Sequence, residues 1–101
     1  MLGSYRLSDD PHRGIIRMNL VLIEWLDSHA GRGWQSIADI KSAAIPLYCR
    51  SVGWLVSKDS NCHVIVPHIA GEKNGDIMLQ GCGDLTIPTA SIVKATVLRR
   101  A

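Results

Sequence analysis

The sequence is poor in aromatic side chains, with two tyrosines, three tryptophans and no phenylalanine among its 101 residues. A core must therefore be mostly aliphatic, with Trp25, Trp34 and Trp54 as its large fillers. No run approaches the ~20 apolar residues that cross a bilayer, and the first ten residues lack the apolar stretch of a signal peptide. We therefore expect a cytoplasmic protein with no membrane partner.

The three cysteines lack the spacing of a metal site. Cys49, Cys62 and Cys82 form no Cys-x-x-Cys pair, and an odd number of cysteines favours reduced thiols. Cys62 and His63 are adjacent, so they would point to opposite faces of a strand. His68 lies five residues beyond His63, again on the opposite face. We expect no metal and no cofactor.

The charge balance is nearly even. Eleven lysines and arginines face nine acids, and the net charge of +2 does not by itself indicate nucleic acid. Basic residues cluster near both ends, so termini that lie together would make one end of the molecule basic. The alternative is that these are ordinary solvated ends. The residues are Arg6, Arg13, Arg17, Arg99 and Arg100.

The clearest structural signal is the alternating stretch 47–57, LYCRSVGWLVS. Tyr48, Val52 and Trp54 fall on one side of an extended chain, with Leu47 and Leu55 on the other. Because both sides carry apolar residues, this pattern predicts a central strand buried on most of both faces.

A short helix is predicted between the first strand and this central strand. Residues 15–27 favour a strand through their Leu, Val, Ile and Trp content, although a helical stripe also fits. Ser36 and Asp39 resemble a capping box, and Pro46 ends the helix.

The second half of the chain contains several short strands with turn signals between them. This pattern is typical of a mainly β fold, and we expect a small SH3-like or Sm-like β-barrel of five or six strands. Residues 1–14 are expected to be an irregular arm and residues 15–101 a single domain. The predicted pieces are a turn at 58–61, strands at 62–69, 77–80, 85–87 and 92–98, and a helical turn at 88–91.

Several segments between residues 20 and 98 resemble a group of small, mostly uncharacterised phage and prophage proteins. This resemblance implies a small SH3- or Sm-like fold and a phage origin, and hence the cytoplasm of a host cell. It brings no catalytic residues with it. The segments are EWLDS at 24–28, GW at 33–34, CRSVGWLV at 49–56, PHI at 67–69, and Ile87-Pro88 with Ile92.

The best candidate for ligand binding is the loop Gly31, Arg32, Gly33 and Trp34. An arginine recognises phosphate in a bidentate way, a tryptophan can stack on a base, and a helix start attracts anions. The alternative to ligand binding is a structural loop, with one solvated arginine and a tryptophan that covers the barrel.

Enzymatic chemistry has weaker support. Cys82 lies between Gly81 and Gly83 and is the most plausible nucleophile, but the same glycines are typical of a bulge or tight bend. Glu24 and Asp27 are three residues apart in an extended segment and would face different sides. We expect no enzyme.

These observations favour a phage-encoded, non-enzymatic accessory binding protein that acts through protein–protein interaction and self-assembly. We expect a homo-oligomer because paired edges hide the open strands of small barrels. A host protein is a further partner class. The alternative function is binding of a signal nucleotide, RNA or DNA through Arg32 and Trp34.

Overall fold

The computed structural model describes residues 18–72 and 78–100. The predicted arm, Arg6, Arg13 and Arg17 lie outside these residues. The elements are β1 (Leu20–Asp27), α1 (Ile37–Ser42), β2 (Leu47–Lys58), β3 (Cys62–Val66), β4 (His68–Gly71), β5 (Met78–Cys82), β6 (Leu85–Pro88), a 3-10 turn (Thr89–Ser91) and β7 (Ile92–Arg99).

Five of these strands form one antiparallel sheet in the order β6-β3-β2-β1-β7, and β4 pairs with β5 in a separate ladder. The predicted mainly β class is therefore confirmed. The sheet is open, because β6 and β7 at its two edges are not paired with each other.

Strand β2 changes partner along its length. Its residues from Leu47 to Trp54 pair with β1, and those from Trp54 to Lys58 pair with β3. Trp54 is the only position of β2 in both ladders. Directly after it, the register of the β2–β3 ladder shifts between Leu55 and Ser57, and a bulge of this kind bends a strand.

Gly53 lies immediately before that bend and is buried. A Cβ atom at this position would lie 3.0 Å from the carbonyl oxygen of Val66 and 3.1 Å from Cβ of Ile65. Both distances are shorter than ordinary van der Waals contact, so β2 and β3 approach this closely because residue 53 has no side chain.

The core lies on one side of the bent sheet. Val21 and Ile23 of β1, Ile65 of β3 and Ile87 of β6 form one buried cluster. These four residues come from three strands, and Ile23 and Ile87 are fully buried. The half-buried side chains that pack against the cluster are Trp25, Leu55, Leu85 and Ile92.

The predicted bounds of the central strand are confirmed, but its predicted burial is wrong. Strand β2 runs from Leu47 to Lys58, yet Gly53 is its only buried residue. Val52 and Val56 are each about half exposed. A period of two with apolar residues on both sides does not show whether anything packs on the second face, because that depends on distant elements.

The helix start and the helical turn after Pro88 are confirmed, whereas the single strand predicted at 62–69 is wrong. The Ser36 hydroxyl accepts a hydrogen bond from the Asp39 amide, as the capping-box pattern predicts. Pro67 divides the predicted strand 62–69 into β3 and β4, because proline lacks the amide hydrogen that a ladder needs. The helical turn after Pro88 is present as the 3-10 turn.

We predict that Gly53→Val lowers the free energy of unfolding by about 1–3 kcal/mol, since the new side chain overlaps the backbone of β3. Valine has the higher strand propensity, so destabilisation identifies the close contact as the cause. Thermal and urea unfolding followed by circular dichroism measure the change.

The matched control is Gly31→Val. A Cβ atom at Gly31 would meet only the flexible end of the Gln35 side chain, which can move away. We expect the stability to stay within about 0.5 kcal/mol, as for surface substitutions in general. If Gly53→Val were as stable as this control, the close approach of the strands would not be a constraint.

Candidate functional site

The connection between β1 and β2, residues 28–46, does not pack into the body of its own chain. Every residue in it is exposed, including all six residues of α1. We call it the β1–β2 segment. It is longer than the connections usual in compact domains, and loops of this length often have a function.

Local hydrogen bonds give this segment its shape. The His29 Nε2 atom lies 2.7 Å from the Ile45 carbonyl oxygen and joins the two ends of the segment. Because a carbonyl only accepts, Nε2 carries the hydrogen in this contact. The Ser36 side chain caps α1, and the Ser42 hydroxyl donates to the Asp39 carbonyl oxygen.

The same segment presents large apolar side chains to solvent. Trp34 is 103% exposed, Ile45 is 70% exposed and Ile37 is 68% exposed. Ile40 and Leu47 are about half exposed. Single exposed apolar residues are normal on a surface. Here four lie in one connection and a fifth, Leu47, begins the next strand, and such a concentration is typical of an interaction site.

A groove runs between this segment and the 3-10 turn before β7. Its volume is about 740 Å³, which is within the ~300–1,000 Å³ range of ligand pockets. Apolar residues dominate its wall, which also includes Asp27 and His29. The lining residues are Leu26, Asp27, Ser28, His29, Gly31, Gln35, Ile40, Ala43, Ala44, Ile45, Pro46, Ala90 and Ser91.

A hydrogen-bond network fixes the wall that the 3-10 turn contributes. The Thr89 hydroxyl donates to the Asp59 carbonyl oxygen at 2.8 Å, and the Thr89 amide donates to the Asn61 carbonyl oxygen at 3.0 Å. The His63 Nδ1 atom lies 2.9 Å from the same hydroxyl oxygen. Because that hydroxyl already donates, Nδ1 must donate to it. The backbone amide of Cys62, followed by that of Asn61, lowers the pKa of the Asp59 carboxyl.

The structure places the four predicted ligand-binding residues together in the β1–β2 segment, and all four are exposed. Gly33 has a φ of 70°, which explains a glycine at this turn. The Arg32 carbonyl oxygen accepts a hydrogen bond from the side-chain Nε2 of Gln35 at 3.3 Å. Trp34 does not cover the sheet, so the prediction that all three tryptophans fill the core is wrong for this one. Binding by these residues stays a prediction.

A polar cluster lies on the face of the sheet that points away from the core. Glu24 of β1 is opposite Arg50 of β2 and Lys94 of β7. The Tyr48 hydroxyl donates to Glu24 Oε1, and Arg50 Nε lies 3.5 Å from the same oxygen. The Arg50 guanidinium also lies 5.5 Å from the centre of the Tyr48 ring.

These contacts change two pKa values in opposite directions. The hydrogen bond from Tyr48, with help from Arg50 and the charge of Lys94, lowers the pKa of the Glu24 carboxyl. The same hydrogen bond raises the pKa of the Tyr48 hydroxyl, because ionisation would remove the donated hydrogen. The cluster is therefore a structural clamp between β1 and β2, in which the Glu24 carboxylate faces the two cations Arg50 and Lys94.

The three thiols differ in exposure. Cys49 and Cys62 are half-buried, Cys82 is exposed, and all three are free. Gly83 has a φ of 80°, so a tight bend in the backbone explains the glycine directly after Cys82. Within residues 18–72 and 78–100, no group of three or more His, Cys, Asp or Glu could hold a metal ion.

Sequence reasoning identified the loop around Trp34 but missed the groove beside it. The groove needs Ala90 and Ser91 of the 3-10 turn to lie beside Leu26 and Ile45, and no local pattern reports such a distant contact. A signal in the sequence was the helical spacing of Ile40 and Ala44, since both residues line the groove.

No protein-family model, curated protein or solved structure matches this chain. The resemblance to phage proteins therefore stays a prediction. In the part of the chain that the structure describes, no helix is long and apolar enough to cross a membrane.

We predict that Tyr48→Phe raises the pKa of Glu24 towards its ordinary value of 4.5, since the largest cause of the lowering is removed. Lys94→Gln, which removes the weakest of these causes, should raise the pKa less. NMR titration of the Glu24 carboxyl carbon measures both. An unchanged pKa in Tyr48→Phe would contradict the clamp.

The lowered pKa of Glu24 makes the stability of the fold depend on pH. A carboxyl whose pKa is lowered in the folded state stabilises the fold above pH 4.5, and that contribution is lost as the pH falls further. We therefore expect the melting temperature of Glu24→Gln to fall less between pH 5 and pH 2 than that of the unmodified protein. An equal fall in both would argue against the linkage.

Proposed function

We propose that this chain is a non-enzymatic binding protein that works as a self-assembled homo-oligomer, with the β1–β2 segment as its contact surface. The observation that carries the proposal is the complete exposure of this segment despite its content of Trp34, Ile37, Ile40 and Ile45. The resemblance to phage proteins adds a phage-encoded accessory role in a host cell, with a host protein as a further partner.

A partner would account for a segment that has a defined shape although none of its residues is buried. Fixing the backbone costs about 1–2 kcal/mol per residue, and that cost must be offset by burial or hydrogen bonds. Helix α1 has six residues, and isolated helices shorter than about 12–15 residues are marginal in water. Since its own chain buries none of its side chains, a contact with another molecule supplies the missing burial.

The charge of the surface favours a second copy as that molecule. Over residues 27–46, which add the last residue of β1 to the segment, Arg32 and Lys41 are balanced by Asp27 and Asp39. A contact surface with an excess of one sign would repel its own copy, whereas this one would not. The outer edges of β6 and β7 also favour assembly, because among residues 18–72 and 78–100 each of these strands is paired on one side only.

The area is of the right order for such a contact. The exposed parts of Trp34, Ile37, Ile40, Ile45 and Leu47 amount to roughly 400–500 Å² of apolar surface. A standard interface buries about 800 Å² per partner, of which somewhat more than half is apolar. The segment alone is therefore large enough to supply the apolar part of one side of an interface.

We also propose that the open sheet is curled into a barrel of the SH3-like or Sm-like type. Ile87 comes from edge strand β6, and Ile92 from edge strand β7 packs against the cluster to which Ile87 belongs. Side chains from both edges can share one core when the sheet bends, as the change of partner at Trp54 allows.

Binding of a nucleotide or nucleic acid is the second candidate function, favoured by the full exposure of Trp34 two residues from Arg32. An exposed indole is available for stacking, worth about 1–3 kcal/mol per base. This function predicts an affinity for single-stranded oligonucleotides that falls steeply with salt and is lost in Arg32→Ala. Fluorescence anisotropy at two salt concentrations tests it.

We predict that Ile37→Thr with Ile45→Thr lowers the oligomeric state, since two exposed apolar side chains leave the contact. Sedimentation velocity of the full chain across a hundredfold range of concentration measures the change. The matched control is Val52→Thr with Val56→Thr, which removes apolar groups of similar exposure from β2 and should keep the assembly.

Two results of these sedimentation experiments would change the proposal. A monomer at every concentration of the unmodified chain would overturn self-assembly. An assembly that is weakened by the control pair and unaffected by the pair in the segment would move the contact to the sheet. Equal thermal unfolding of the unmodified chain and the two double variants is expected, because none of these side chains belongs to the buried core.

A further inference from the structure

We propose that two copies of this chain exchange Trp34, so that the indole of each copy fills the groove of the other. This inference rests on the proposed self-assembly and names the contact that produces it. The partner is a second copy of the chain, related to the first by a two-fold axis.

The β1–β2 segment carries both a protruding apolar side chain, Trp34, which we call the knob, and part of the wall of an apolar groove. Trp34 is fully exposed, and it is the largest apolar side chain of the β1–β2 segment. The groove beside it is lined by Leu26, Ile40 and Ile45. An indole that enters such a groove buries about 150–250 Å², and buried tryptophans that fill pockets are the most frequent hot spots of interfaces.

Trp34 lies at the rim of the groove but does not line it. Gly31 and Gln35, on either side of Trp34 in the sequence, are lining residues, whereas Trp34 is not. The indole therefore projects from the rim of its own groove into solvent. When knob and groove are adjacent on one segment, a two-fold arrangement brings each knob to the other copy's groove in a single reciprocal contact.

The polar groups of the groove tolerate this occupant. The Nε2–H group of His29 already donates a hydrogen bond to the Ile45 carbonyl oxygen, so this group stays paired when an indole covers it. Asp27 Oδ1 already accepts from the Ser28 amide at 2.8 Å. An indole has one N–H donor, and the second oxygen of the Asp27 carboxylate is an acceptor in the same groove wall.

The test uses one variant for each half of the contact. Trp34→Ala removes the knob and leaves the groove intact. Ala44→Glu places a charge in the groove wall and leaves the knob intact, so entry of the indole would bury that charge. The matched control is Ala70→Glu, which adds the same charge to an exposed position of β4, outside the β1–β2 segment and the groove lining.

We expect each of the two variants to weaken self-association by about 30-fold or more, as for a hot-spot residue. Ala70→Glu should stay within about threefold of the unmodified chain. A mixture of Trp34→Ala and Ala44→Glu should form 1:1 heterodimers, because the intact groove of the first accepts the intact indole of the second. Native mass spectrometry distinguishes these species by mass.

Three results would overturn the exchange. If the mixed variants stay monomeric although each alone is folded by circular dichroism, Trp34 does not enter the groove. If the unmodified chain assembles and Trp34→Ala assembles equally well, this inference fails while the proposed self-assembly stands. If the unmodified chain is monomeric at all concentrations, both fail.

Discussion

The contact between β2 and β3 at Gly53 is the constraint on which the rest of the fold depends. A Cβ atom there would overlap the backbone of Val66, so the two strands meet at this distance only at a glycine. The next residue, Trp54, is where β2 changes partner from β1 to β3. This bend brings Ile65 and Ile87 from one half of the sheet onto Val21 and Ile23 from the other.

The small core that results explains why the β1–β2 segment has no place on its own chain. Five hydrophobic residues of the described chain are buried, and all of them belong to β1, β3 or β6. The segment leaves the sheet after Asp27 and returns at Leu47, at the end of β1 and β2 away from Gly53. Its apolar side chains are therefore directed to a second surface, which we attribute to another copy.

Local chemistry was predictable from the sequence, whereas burial was not. The Ser36 cap, the break at Pro67 and the 3-10 turn after Pro88 each depend on a few neighbouring residues. The exposure of Val52 and Trp34 depends on which distant elements cover them, and alternation within a strand carries no such information. The groove was missed for the same reason, because Ser91 reaches it from another part of the chain.

The most direct test is amide hydrogen exchange of the full chain at two concentrations, one below and one above the midpoint of assembly. We predict that residues 37–46 become more protected at the higher concentration, while the amides of β1 and β2 exchange equally at both. Equal protection of residues 37–46 at the two concentrations would show that the segment is ordered without a second copy, and would contradict the account.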